Sequence, residues 1–237
     1  MSELINIDVK KSIHTTAGDI ELELATTFDQ QKISVIYGAS GVGKTTVLRM
    51  IAGLSDPDSG YIKVNGNTWF DSSSGINIPA RKRSIGFVFQ DYALFPNMTV
   101  RRNIEFGMGS ISDPTKVDEM LKDADLMSLQ FKYPSQLSGG QKQRLALIRA
   151  FAAQPKLLLL DEPLSALDIE MRIRIQDLII SLKQKYGTTI LLVSHDIPEI
   201  FKLADHVIEL RNSKIFKSGS PNDVFDLELI KQQYNIQ

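Results

Sequence analysis

The chain has 237 residues, a formal net charge of −1 and no cysteine. That length suits one large α/β domain or two modest ones, and the charge balance supplies no general field toward nucleic acid or an anionic membrane. The lack of thiols excludes disulfides and cysteine-ligated metals. The start, MSELINIDVKK, has no long apolar core and does not read as a signal peptide. The longest apolar runs, such as Leu157 to Leu160, are far too short to cross a bilayer, so any membrane role is expected to run through a partner.

In chain order, Ile20-Glu21-Leu22-Glu23-Leu24 alternates apolar and polar residues and predicts a half-buried antiparallel strand. Ile33 to Tyr37 is a β-rich run that ends at a glycine loop. Thr45 to Gly53 predicts a helix, stopped by glycine and Ser55-Asp56-Pro57. From about Pro96 to Leu137 strand-like runs disappear, and Val117, Met120, Leu121 and Ala124 fall at helical spacing. A helical subdomain, about 96–137, is therefore expected within a core of about 1–95 and 138–237. Leu157–Leu160, Ile190–Val193 and Val207–Leu210 suit strands buried on both faces of a parallel sheet. Met171 to Tyr186 puts Ile175, Leu178, Ile179 and Leu182 on one helical stripe. Alternating strands and helices argue for a layered α/β core. There is no tandem repeat and no low-complexity stretch.

The glycine loop is Gly38-Ala39-Ser40-Gly41-Val42-Gly43-Lys44-Thr45, followed by Thr46, and it fits G-x-x-x-x-G-K-[ST] at every fixed position. Gly38, Gly41 and Gly43 allow a tight turn and a close approach to phosphate oxygens. Backbone amides and the following helix N-terminus add positive potential. Lys44 is expected on the β- and γ-phosphates of a nucleotide, and Thr45 on Mg²⁺. The alternative is a fortuitous glycine turn, which placement between a strand and a helix argues against. Leu157 to Leu160 delivers Asp161 and Glu162 at the carboxyl end of a buried strand, where ligands bind in open α/β sheets. A core strand followed by a charged turn would look the same in isolation. Leu137-Ser138-Gly139-Gly140-Gln141 precedes a helix start at Lys142-Gln143-Arg144, so Ser138, Gly139 and Gly140 read as an anion cradle at a helix N-terminus. Gln90 and His195 each follow a strand-like run.

With these motifs in this order, the chain resembles the ATPase subunit of ATP-binding-cassette (ABC) transporters over almost its whole length. The resemblance implies an α/β P-loop NTPase core with a parallel sheet, an N-terminal antiparallel β subdomain and the inserted helical subdomain, all in one nucleotide-binding domain over 1–237. It implies ATP and Mg²⁺ as cofactors. Asp161 and Gln90 join Thr45 at the metal, and Gln90 also senses the membrane subunit. Glu162 is the general base. His195 contacts the γ-phosphate and positions water. Ser138, Gly139, Gly140 and Gln141 close on the γ-phosphate held by the other subunit of a head-to-tail homodimer, and Ser165-Ala166-Leu167-Asp168 lines that contact.

One departure stands out. Family members usually stack adenine on an aromatic side chain upstream of the glycine loop, whereas Lys11-Ser12-Ile13-His14-Thr15-Thr16 has no Phe, Tyr or Trp. His14 is either the stacking ring or an ordinary turn residue. His206, like His14, carries no catalytic assignment.

Ile85 to Val100 and Asp161 to Asp168 resemble bacterial and archaeal importers, nearest to molybdate and tungstate uptake ATPases. That likeness implies integral-membrane permease subunits, an extracytoplasmic solute-binding protein and a peripheral position on the cytoplasmic face of the membrane. Tyr92, Leu94 and Phe95 would line a groove for the permease, or simply pack in the core. The basic run Arg81-Lys82-Arg83 reads as a solvated face. With the sequence ending at Gln237, an additional regulatory domain is not expected. The alternatives are the ATPase subunit of an exporter and a soluble non-transport ABC ATPase.

Overall fold

The structure, a computed structural model, describes residues 3–15, 18–109, 113–165 and 167–226. In chain order the elements are β1 (Glu3–Thr15), β2 (Gly18–Asp29), β3 (Ile33–Gly38), α1 (Lys44–Ala52), β4 (Ser59–Val64), β5 (Asn67–Asp71), β6 (Ile76–Asn77) and β7 (Ile85–Val88). Then come α2 (Val100–Met108), α3 (Pro114–Asp123), α4 (Gly139–Ala152), β8 (Leu157–Asp161), α5 (Ile169–Tyr186) and β9 (Thr189–Ser194). The last are α6 (Ile197–Leu203), β10 (His206–Arg211), β11 (Lys214–Gly219) and α7 (Pro221–Val224). The chain divides into two compact units, 1–83 with 191–237, and 84–190.

In the first unit an antiparallel sheet runs in the order β2-β1-β4-β5-β6. The expected strand at Ile20–Leu24 is the start of β2, which pairs with β1 from Ile5↔Phe28 to Thr15↔Gly18. Period-two alternation sets which side chains are buried. Ile5, Ile7 and Val9 on β1 and Leu22, Leu24 and Phe28 on β2 are buried, while Asp8 and Lys10 remain exposed. Each such Ile, Leu or Phe contributes about 1.5–3 kcal/mol of burial. β3 runs parallel to β10, from His206↔Ser34 to Leu210↔Gly38, and β10 pairs antiparallel with β11. Ile33, Val35 and Ile36 are buried, as the apolar run predicts.

The basic run before β7 is only partly a solvated face. Arg81 and Lys82 are exposed, but Arg83 is 4% exposed. Its guanidinium donates to the Met50, Ile51 and Ile78 carbonyls at 2.7, 2.9 and 2.8 Å. Two of those carbonyls belong to the last turn of α1, which ends at Gly53 with φ 73°. Charge counting cannot distinguish Arg83 from its neighbours; the carbonyls left without helical donors at the end of α1 can.

In the second unit β7 and β8 pair in parallel, Ile85↔Leu157 to Val88↔Leu160, and every residue of β8 is buried. The described residues of 96–137 form α2, α3 and short 3₁₀ turns, with no strand. Side-chain caps set the helix starts in this unit: Thr99 for α2, Asp113 followed by Pro114 for α3, Ser138 for α4 and Asp168 for α5. The buried Ile175, Leu178, Ile179 and Leu182 form the core face of α5. β9 straddles the division between the units and is buried along its length.

Candidate functional site

In the first unit β3 leads directly into the glycine loop. Gly38 has φ 155°, and a Cβ there would lie 2.6 Å from the Leu210 carbonyl oxygen. Gly43 has φ 102° and is the N-cap of α1 without a side-chain cap. A Cβ on it would meet Ile13 and Leu22 at 3.3 Å, so β1 and β2 pack against the loop's end. Ala39, Ser40 and Gly41 are exposed, while Val42 and Lys44 are buried. The Lys44 ammonium is held over the loop by the Gly38 and Ala39 carbonyls at 2.8 and 2.9 Å. Thr45 and Thr46 follow in the first turn of α1, where the helix N-terminus concentrates positive potential. These features suit a bound polyphosphate.

His195 is exposed and directly follows β9. Its neighbours are tightly bound: the Ser194 hydroxyl donates to Glu199 at 2.9 Å, and Asp196 caps α6 by accepting from the Glu199 amide at 2.9 Å. His14 lies in β1 rather than in a turn. Its Nδ1 is 2.7 Å from the Asp19 carboxylate, whose hydrogen bond raises the imidazole pKa. Ile13, on the opposite face of the strand by period two, is the residue that reaches Gly43. Thr16 of that stretch lies outside the described residues, as does Ala166.

In the second unit Asp161 ends β8 and is buried, and Glu162 follows at φ 45°, an uncommon left-handed backbone for a non-glycine residue. The Ser165 hydroxyl donates to the Glu162 carbonyl at 3.1 Å and closes the turn. Gln90 is exposed in a turn just after β7. The segment beyond it is held by groups the sequence reading passed over. Arg149 on α4 donates to the Ala93 and Tyr92 carbonyls at 2.7 and 3.2 Å and lies over the Phe95 ring. Burial lowers its pKa. Asn103, fully buried on α2, accepts from the Phe95 amide and donates to the Phe95, Met98 and Thr99 carbonyls. An asparagine inside an otherwise apolar helical face was the available signal. Tyr92, Leu94 and Phe95 are half-buried, and Phe95 packs on Phe106 with ring centroids 4.4 Å apart.

The Leu137–Gln141 motif opens α4. Ser138 accepts from the Gln141 amide at 3.3 Å, and the Gln141 side chain accepts from the Ser138 amide at 2.9 Å. This capping box leaves the Gly139 and Gly140 amides with neither a helical nor a capping acceptor. Ser138 and Gly139 are exposed; Gly140 is buried.

The glycine loop, Lys44 and His195 thus lie in the first unit, and Gln90, Ser138–Gln141, Asp161 and Glu162 in the second. The sequence matches the ABC transporter family model over residues 22–165. The chain belongs to that family. It is 39% identical over 231 residues to a molybdenum import ATP-binding protein, ModC, of Vibrio cholerae, covering 98% of this chain and 62% of the relative. It is 42% identical over 232 residues to a sulfate/thiosulfate import ATP-binding protein, CysA, of Mesostigma viride, covering 95% of this chain and 64% of that one. This ABC chain therefore spans less than two thirds of the length of these curated relatives. Among solved structures it is similar to cbiO1 of Clostridium perfringens, part of an ABC transporter complex, with TM-score 0.82 and 27% identity over 100% of this chain and 96% of that one. It is also similar to an ATP-binding cassette solved as a dimer in a post-hydrolysis state with ADP and Pi, with TM-score 0.76 and 28% identity over 92% and 99% of the two chains. The α/β cassette fold expected from the sequence is the fold of these ABC neighbours.

Proposed function

We propose that the chain is the ATP-binding and hydrolysing subunit of an ABC importer for a small oxyanion, molybdate or a chemically similar one. The observation that carries this reading is the glycine loop at the β3–α1 junction, with left-handed Gly43 and a buried Lys44 held across it. The import names of the ModC and CysA relatives support the direction and the class of solute. In this reading 1–237 acts as one cassette, with the stretch of about 96–137 as its helical insert.

Lys44 and the loop amides hold the β- and γ-phosphates. Thr45, Asp161 and Gln90 offer hydroxyl, carboxylate and amide oxygens, hard donors that suit Mg²⁺. The ion, when bound, would neutralise charge on the phosphates. Glu162 takes the proton of the attacking water, and His195 orients that water against the γ-phosphate. The Ser138 hydroxyl and the Gly139 and Gly140 amides of a second copy stabilise charge on the same phosphate. Closure on ATP and opening after hydrolysis would drive a permease through its cycle, because the two forms differ in affinity. A position on the cytoplasmic face of the membrane, bound to permease subunits and served by a solute-binding protein, follows from this role. No helix among the described residues is long and apolar enough to cross a membrane.

Two experiments test the reading. Glu162→Gln is expected to bind ATP, form a stable dimer by size-exclusion chromatography and lose at least ~100-fold in turnover, the scale of general-base loss; near wild-type turnover would remove Glu162 as the base. Affinity purification from detergent-solubilised native membranes is expected to recover a permease and a solute-binding protein that takes molybdate. Recovery of a permease with ATPase stimulated directly by drug or lipid would indicate export. Recovery of no membrane protein would indicate a soluble ATPase.

A further inference from the structure

The two glycines of the Ser138–Gln141 turn differ in their surroundings. Among the described residues, a Cβ on Gly139 would meet only the Tyr92 hydroxyl, at 3.8 Å. A Cβ on Gly140 would lie 2.5 Å from both Cγ and Sδ of Met171 and 2.8 Å from its Cε. Gly140 is buried while Ser138 and Gly139 are exposed. The missing side chain of Gly140 therefore leaves a seat for the Met171 thioether, on the buried side of the turn. Met171 is itself fixed at its backbone, because its amide donates to the Asp168 carboxylate at 2.8 Å, the cap of α5.

We propose that Met171 is a positioning residue for the anion-binding turn. Its thioether, seated on Gly140, locks the first turn of α4 to the first turn of α5. The Gly139 and Gly140 amides and the Asp168 cap then keep a fixed mutual orientation. Gly140 lacks a side chain to admit Met171, not to admit a phosphate. The inference rests on the reading that the Ser138–Gln141 turn closes on the nucleotide of a second copy.

Contact between two flexible or small partners is tested by exchanging their sizes. Gly140→Ala pushes Met171 off its seat, Met171→Ala empties the seat, and the double variant puts a methyl group back into the space vacated. ATP-dependent dimer formation and the KM and kcat of hydrolysis are measured for all three, with ATP-analogue binding to the separate subunit as the control for the glycine loop. Each single variant is expected to need about tenfold more ATP to form the dimer, with binding to the separate subunit unchanged, and the double variant to recover to within about threefold of wild type, the non-additivity expected of residues in contact. Losses that multiply in the double variant would overturn the proposal. So would a wild-type Met171→Ala beside an impaired Gly140→Ala, which would mean that the phosphate itself needs the glycine. The wild-type chain separates the two levels of inference. If it forms no ATP-dependent dimer, the functional reading fails; if it does and the exchange gives no recovery, only the role of Met171 fails.

Discussion

Replacing Arg83 with methionine keeps an unbranched apolar stem and removes the guanidinium, which lies over the Trp69 ring. The Met50, Ile51 and Ile78 carbonyls then each lose a donor that sat within 2.9 Å. Met50 keeps one bond, from the Gly53 amide at 3.1 Å, so its loss is the smallest. Ile51 and Ile78 are left with the larger deficits, about 1–3 kcal/mol for each buried polar group without its partner. Removing a buried charge returns part of this, since burial already disfavours the guanidinium and lowers its pKa. The expected net loss is about 3 kcal/mol, which for a chain of this size lowers Tm by roughly 6–12 °C. The assay is thermal unfolding followed by circular dichroism, with Arg81→Met as the exposed control, expected to change stability by less than about 0.5 kcal/mol. Amide exchange should localise the damage, quickening first at Gly53 and Leu54, whose amides bond to Met50 and Arg49. An Arg83→Met protein as stable as the Arg81→Met control would refute the reasoning, because the carbonyls would then have to be satisfied without Arg83.

Asn103→Ala removes the bonds that fix Phe95 to Thr99 and is expected to cost about 2–3 kcal/mol; chemical denaturation with an unaltered midpoint would count against it. The midpoints of His14 and His206 should be shifted in opposite directions when titrated by NMR. His14 is raised above 6.5 by its hydrogen bond to Asp19, whereas burial lowers His206 below it. For His14 the favourable interaction is complete below the unfolded value and is lost as pH rises through the raised folded value. For His206 stability falls as pH drops from the unfolded value through the lowered folded one. Asp19→Asn should return the His14 midpoint toward 6.5 and leave His206 unmoved; an unchanged His14 would show that Asp19 is not its partner.

Apolar runs and periodicity made much of the fold legible. Leu157–Leu160 announced β8, and the stripe from Ile175 to Leu182 announced α5, because both depend on neighbours in sequence. β1 carries the same alternation as β2 in Ile5, Ile7 and Val9, so period two marks that strand as well. The motif residues could be named from their order alone. What supports them could not. Arg149 serves carbonyls at Tyr92 and Ala93, and Met171 sits on Gly140, across separations that leave no local pattern. The sequence left His14 between a stacking ring and a turn residue because Asp19 faces it from β2, and only strand register pairs them.

The left-handed backbone at Glu162 has a consequence for anyone who sets out to make this protein hardier. Among the described non-glycine residues with positive φ, Asn212 lies in a turn outside the motifs, where glycine would relieve the left-handed backbone. Glu162 offers the same relief, on the order of 1 kcal/mol. A design procedure that ranks substitutions by backbone comfort would therefore favour glycine there, and the thermally improved product would lack the carboxylate assigned to water activation. Under the proposed role of Glu162, heat resistance and turnover are set against each other at that one residue, and a screen scored on melting temperature alone would select against the proposed base.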